Sequence, residues 1–370
     1  MVTLDPARGL IPDEKGKNPR LLMITTWGSM PVWDSRETVS PIVEAWTTYR
    51  TGSAGQWSNG QLARAKRGTR VSVVIPARDE EATVGQIVGT IRRHLMDRTS
   101  IVDEIVVVDS RSTDATAEVA AAAGARVVSQ DDITRGLPRL EGKGDALWAG
   151  LAEARGDVVA FVDGDLREFS PHFVTGLVGP LLTDPSVAFV KGFYHRPLVG
   201  TASVEADGGG RVTELSARPL LNLFWPELAG FVQPLAGEYA ARRETLERIP
   251  FVSGYGVEIA MLIDLLDLVG LDALAQVDLG ERLHRHQGTE ALGRMSAQIM
   301  VTAWSRLYRR GVVTEPMPPS TLLTQFRRGG KDVLPHLNRE IAVTDISVQE
   351  RPPLATMARR GRVLHPAVTA

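Results

Sequence analysis

Residues 163 to 165 read Asp-Gly-Asp and directly follow five apolar residues, Val158 to Val162. Carboxylates one residue apart in a turn can face the same cavity, and their hard oxygens suit Mg²⁺ or Mn²⁺. A divalent ion held by Asp163 and Asp165 would neutralise a departing diphosphate. The plain alternative is a capped turn ahead of a helix near Ser170-Pro171. Lys143 stands between two glycines at a predicted helix start, where its ammonium and nearby N–H groups could meet an anion. A solvated surface lysine is the competing reading, and no Walker-type phosphate loop surrounds it. Three glycines before Arg211 and Thr213 form either a flexible loop or an anion grip in which Gly210 lets backbone approach and the guanidinium binds phosphate or carboxylate. Tyr255 and Glu258 sit at the mouth of an apolar helix, where a carboxylate needs a partner. His284-Arg285-His286 could supply a metal imidazole or merely structural histidines.

Something must bring these groups together. Val71–Ile75 reads as a buried strand, followed by an amphipathic helix over 80–95. Residues 103–109 form a second strand and 125–129 a third. Between them a helix over 114–123 starts at a Ser112-Thr113-Asp114 cap and stops at Gly124. A helix over 144–154 leads to the strand 157–163. Strands alternating with helices imply right-handed crossovers and a mostly parallel sheet flanked by helices, an α/β fold. Ligands bind outside the carboxyl ends of such strands. Those ends carry Pro76-Ala77-Arg78-Asp79-Glu80, Asp109-Ser110 and Asp163-Gly164-Asp165, so three acidic strand ends converge on one rim. A long helix is expected over 289–310, and the Pro- and Arg-rich tail after residue 345 is expected to run over the surface.

Bulk properties narrow the classes. The chain has 370 residues with 43% hydrophobic content, enough for a substantial core. Its net charge of −2 offers no field for nucleic acid. There is no cysteine, which excludes thiolate metal sites, disulfides and a Cys nucleophile. With no long apolar run and no signal-like N-terminus, a soluble cytoplasmic protein without membrane attachment is the expectation. The first 68 residues hold four of the seven tryptophans and little periodicity, as suits an arm that wraps the domain or a partner.

In order and spacing, "VVIPARDEEATV", "VVVDSRSTDAT" and "FVDGDL" resemble the family 2 GT-A glycosyltransferases. "GKGDALW", "FVKGFYHRPL", "GGGRVTELSARPLL", "QPLAGEYAARRETL", "GYGVEIAMLID" and "AQVDLGERLHR" resemble the actinobacterial glucosyl-3-phosphoglycerate synthase family run for run, over roughly residues 57 to 300. The resemblance implies a GT-A fold with a helical acceptor-binding second half. It implies transfer of glucose, with retention, from UDP-glucose to the 2-hydroxyl of 3-phosphoglycerate. It divides the chain into an arm (1–68), a nucleotide-sugar half (69–185), an acceptor half (186–310) and a tail (311–370). Pro76, Ala77, Arg78 and Glu80 would surround the uracil and ribose, with Ser110 and Lys143 completing the nucleotide contacts. Asp163, with Gly164 beside it, would lie against the nucleotide sugar. Asp165 and His284 would hold Mg²⁺, with Mn²⁺ or Co²⁺ as substitutes. Gly210, Arg211 and Thr213 would hold the acceptor, and Tyr255 and Glu258 would line the donor-sugar pocket. The catalytic group would be Asp165, Glu258 and Lys143, and a homodimer is expected.

Two departures stand out. Asp163-Gly164-Asp165 replaces the family's usual D-S-D, and His286 stands where the family's acceptor-binding Asn is expected. Mannosyl-3-phosphoglycerate synthase with GDP-mannose is the close alternative. A polyprenyl-phosphate sugar transferase, a nucleotidyltransferase and a non-catalytic sugar-nucleotide binder are the more distant ones.

Overall fold

The computed structural model describes residues 40–195, 198–199, 204–205, 210–282, 288–327, 333–334, 339–360 and 363–366. Every element below belongs to the unit Pro41–Ala370. Its frame is an eight-stranded sheet built from β1 (Thr51–Ser53), β2 (Val71–Ala77), β3 (Glu104–Asp109), β4 (Arg126–Ser129), β5 (Val158–Phe161), β6 (Phe189–His195), β7 (Tyr239–Arg242) and β8 (Leu274–Glu281). The spatial order is β1-β8-β6-β7-β5-β2-β3-β4. Only β7 runs against its neighbours; all other pairings are parallel.

Strand β2 shows why the sheet is buried on both sides. Val71, Val73 and Ile75 join the cluster containing Ile87 and Phe173, while Val74 joins the opposite cluster with Trp148 and Leu262. Successive side chains of a strand point to opposite faces, so a continuous apolar run serves two cores. The helices covering these faces are α1 (Pro41–Arg50), α2 (Asn59–Ala65), α3 (Val84–Ile91), α4 (Thr116–Ala123), α5 (Lys143–Glu153), α6 (His172–Thr183), α7 (Arg218–Phe224), α8 (Val257–Val269) and α9 (Thr289–Arg309). Helix α4 ends as expected at Gly124, whose φ of 103° is left-handed. Its start is formed by Asp114, which accepts the Thr116 amide at 3.0 Å.

The segment before residue 68 contributes the edge strand β1 and places Trp46 in the core, where its Nε1 donates to the Leu274 carbonyl at 3.0 Å. A three-residue strand is too short to show periodicity. The tail departs from expectation more sharply. Glu350–Arg351 pairs antiparallel with Phe251–Val252, and Arg351 is 2% exposed. Trp148 Nε1 donates to the Pro352 carbonyl at 2.8 Å. Arg351 is therefore drawn into the core, because Asp145 awaits it there, while the residues beside it stay partly or fully exposed as expected. Among the described residues no helix is long and apolar enough to cross a membrane.

Candidate active site at the carboxyl rim of the sheet

The parallel registers align the ends of the central strands, with Ala77 opposite Asp109 and Val74 opposite Phe161. Past them opens a cavity of about 440 Å³ lined by Pro76, Ala77, Arg78, Glu80, Ser110, Lys143, Asp163, Gly164, Asp165 and Tyr255, together with Arg111 and Glu141. Ten residues anticipated from sequence thus face one space. The loops after β2 and β3 are shaped by Asp79 at φ 56° and Arg111 at φ 64° respectively, left-handed positions that side chains seldom adopt. Asp79 Oδ1 accepts the Thr113 amide at 2.8 Å, which ties the two loops together.

Asp163 is the hub. Lys143, the first residue of α5, places its Nζ 2.5 Å from Asp163 Oδ1 and 3.3 Å from Glu258 Oε1. Glu258 lies in the first turn of α8, with its side chain 9% exposed, and so receives the partner that a buried carboxylate requires. Arg282, just past β8, brings both terminal nitrogens within 3.3 Å of Asp163 Oδ2 and one within 3.0 Å of Asp165 Oδ1. It also pairs with the fully buried Glu238. Burial pushes the Asp163 pKa up, but the Lys143 ammonium and the Arg282 guanidinium overcome that and hold the carboxyl well below the usual carboxylate range. Burial lowers the Lys143 pKa, and Asp163 and Glu258 more than reverse the effect.

Arg282, Glu238 and Lys191 are the residues that sequence reading missed. Lys191 and Glu238 are lone charges within apolar runs, "AFVKGF" and "PLAGEYAA", and Arg282 follows the apolar strand β8 directly after Glu281. A charge in a buried strand must be paired or must serve a site, and that was the available signal. Lys191 is 1% exposed on β6, and its pKa is pushed down to about 8 by burial, against the pull of Glu258.

Around Asp163, partly behind the cavity wall, four carboxylates (Asp163, Asp165, Glu238, Glu258) are grouped with three cations (Lys143, Lys191, Arg282). The surplus is negative. Asp165 is the open member of the group, its side chain 55% exposed into the cavity. One exposed carboxylate, with the remaining positions left to phosphate and water, fits a hard divalent ion. No group of three or more His, Cys, Asp or Glu that could cage a metal occurs among the described residues. His284 and His286 lie outside the described residues.

The acceptor candidates line a different space. Gly210, at φ 80°, and Thr213 border a cavity of about 340 Å³ together with Tyr194, Arg218 and Gln233. Arg211, between them, is exposed. The two cavities share no lining residue among those described, and Arg282 stands between them. Its Nη1 meets the Tyr194 hydroxyl of the second cavity at 2.7 Å while its other contacts hold the acidic turn of the first.

The Glycosyl transferase family 2 profile matches residues 72–231, the stretch that supplies β2 to β6 and the Asp-Gly-Asp turn. The glucosyl-3-phosphoglycerate synthase of Mycolicibacterium smegmatis is 46% identical over 315 residues, covering 85% of this chain and 99% of that protein. That of Mycobacterium tuberculosis is 47% identical over 82% of this chain and 91% of that protein. Among solved structures, mannosyl-3-phosphoglycerate synthase from Rubrobacter xylanophilus superposes with a TM-score of 0.76 at 41% identity, covering 85% of this chain and 98% of the other. The Mycobacterium tuberculosis glucosyl-3-phosphoglycerate synthase in complex with Mn²⁺, UDP and phosphoglyceric acid gives 0.70 at 45% identity, over 83% and 98%. Fold and sequence agree across nearly the whole length of these relatives: the chain belongs to the glucosyl-3-phosphoglycerate synthase family of family 2 glycosyltransferases.

Proposed function

We propose that this protein transfers glucose, with retention, from UDP-glucose to the 2-hydroxyl of 3-phosphoglycerate. The observation that carries the reading is the Asp163–Asp165 turn, open to a nucleotide-sized cavity, in a chain 46% identical over 99% of a glucosyl-3-phosphoglycerate synthase. In this reading Pro76, Ala77, Arg78, Glu80 and Ser110 hold the nucleoside, and Asp163, Tyr255 and Glu258 border the sugar. Gly210, Arg211, Thr213 and His286 hold the anionic acceptor. Asp165 and His284 hold Mg²⁺ or Mn²⁺. When bound, the ion supplies positive charge against the diphosphate that leaves. Cytoplasmic location and a homodimer accompany the proposal.

The chain's own residues do the positioning. Lys143 presents an ammonium at the start of α5, where the helix N-terminus adds partial positive charge, to the same anion. Glu258 is engaged by Lys143 at 3.3 Å and nearly sealed, a poor arrangement for a nucleophile that must reach the anomeric carbon. Front-face attack, in which the departing phosphate oxygen takes the acceptor's proton, asks the protein only for orientation and charge stabilisation. A glycosyl-enzyme trapped during acceptor starvation would replace this with double displacement.

A donor panel tests the activity. UDP-glucose, GDP-glucose and GDP-mannose are each offered with D-3-phosphoglycerate and Mg²⁺, and the released nucleotide is identified. UDP released from UDP-glucose is the expected result. Preference for GDP-mannose would make the enzyme a mannosyltransferase, and release of a sugar 1-phosphate in place of a nucleoside diphosphate would make it a nucleotidyltransferase.

A further inference from the structure

A buried line of hydrogen bonds runs from the tail strand Glu350–Arg351 to the cavity wall. Arg351 Nε donates to Asp145 Oδ1 at 2.5 Å, and its guanidinium lies over the Trp148 ring at 5.6 Å. Asp145, in the first turn of α5 and fully buried, accepts from Gln130 Nε2 at 2.5 Å through its other oxygen. Gln130, itself 1% exposed, accepts the Ser110 hydroxyl on its amide oxygen. Ser110 lines the cavity.

The chemistry allows one direction only. A carboxylate ion-paired with a guanidinium accepts and does not donate, so the Gln130 NH₂ must face Asp145 and its C=O must face Ser110. The single hydroxyl proton of Ser110 is then committed to Gln130. Only lone pairs remain toward the cavity. We infer that Arg351, through Asp145 and Gln130, is a positioning residue that makes Ser110 a pure hydrogen-bond acceptor, selecting a ligand that offers it an N–H or O–H. Resting on the nucleotide reading of this cavity, the partner is a base N–H or a ribose hydroxyl. Nη2 of Arg351 is buried without a hydrogen-bond partner among the described residues. Buried pairs of this kind give little net stability, and setting orientation is the role left to it.

The test is a double-mutant cycle on UDP binding with Mg²⁺, measured by calorimetry, with thermal melts as the control for folding. Ser110→Ala and Arg351→Met are each expected to weaken UDP by about three- to tenfold, the scale of one hydrogen bond. The double variant should be no weaker than Ser110→Ala alone. Because removing Arg351 could unfold the chain, Gln130→Met, which keeps the Arg351–Asp145 pair, must show the same non-additivity with Ser110→Ala. KM for UDP-glucose should rise with kcat held, and Arg351→Lys should restore part of the loss. Among N3-methyl-UDP, 2′-deoxy-UDP and 3′-deoxy-UDP, at least one must lose affinity for the wild type but not for Ser110→Ala. Additive losses, or no loss with any of these analogues, would overturn the relay. A folded wild type that binds no UDP would instead sink the nucleotide reading itself.

Discussion

Lys143 Nζ and Asp163 Oδ1 lie 2.5 Å apart, joining the start of α5 to the turn after β5. With its pKa held well below the ordinary carboxylate range, Asp163 stabilises the fold above pH ~4, and that contribution fades as the pH falls through its folded value. The raised pKa of Lys143 adds stability that is complete below pH ~10.5 and lost above it. Lys143→Met should therefore cost about 2 kcal/mol at pH 7, the worth of a hydrogen bond to a charged group. Urea melts from pH 3 to 8 should show the difference between wild type and variant shrinking below pH 4. A gap that stays constant across that range would mean that the pair contributes nothing through its ionisation.

Gly237 leaves no room at the same place. A Cβ there would stand 2.5 Å from Asp163 Oδ1 and closer still to Oδ2 and the Lys143 ammonium. Gly237→Ala must push the carboxylate or the ammonium aside. Overpacking of this kind costs about 1–3 kcal/mol, and turnover should fall at least about tenfold because the displaced groups border the donor. Steady-state kinetics beside a urea melt would check both halves; an alanine variant with wild-type kcat/KM would show that this contact is not needed for catalysis.

Much of this arrangement was legible in the residues. Val71–Ile75 and Val158–Val162 are apolar runs whose ends carry polar groups, and the rule placing ligands past parallel strands assembled the cavity around them. What stayed hidden lies where pairing is non-local. The antiparallel β7 enters from far along the chain, bringing Glu238 and Gly237 against a turn some seventy residues earlier. The tail offered only prolines and arginines, which read as solvated until Asp145, a charge in the apolar helix α5, is seen to need Arg351. Short strands such as β1 show no period at all. The separation of the Gly210–Thr213 cavity from the first, with Arg282 between them, follows from packing that no motif encodes.

Asp165 separates metal use from folding. Its carboxylate is half exposed and meets one guanidinium at 3.0 Å, so Asp165→Ala should change stability by no more than about 1 kcal/mol. If Asp165 holds the ion, turnover should drop about a hundredfold or more, since a divalent ion supplies several kcal/mol of charge stabilisation. Mn²⁺ titration followed by electron paramagnetic resonance reads the binding directly. Unchanged Mn²⁺ affinity in the variant would assign the ion to other ligands.

Lys191 makes the opposite kind of prediction, a gain of stability on losing a charge. Its Nζ is buried on β6 with no hydrogen-bond partner among the described residues, 4.9 Å above the Tyr239 ring. Burial, helped by the Lys143 charge, draws its pKa down from 10.5 to about 8 against the pull of Glu258 and Glu238. Between pH 8 and 10.5 the unfolded chain thus binds more protons at this position than the folded one, and stability rises with pH across that window. Below pH 8 the ammonium burdens the fold by about 3 kcal/mol, the linkage equivalent of that displacement. Lys191→Met, apolar and of similar length, removes the burden. Relative to wild type the variant should be more stable at pH 7, and its advantage should diminish from pH 8 to 10.5. Urea melts of both proteins at half-unit steps give the answer. An advantage that does not change with pH would mean that Lys191 titrates normally; a variant less stable at pH 7 would mean that the neighbouring carboxylates need its charge more than the fold resents it.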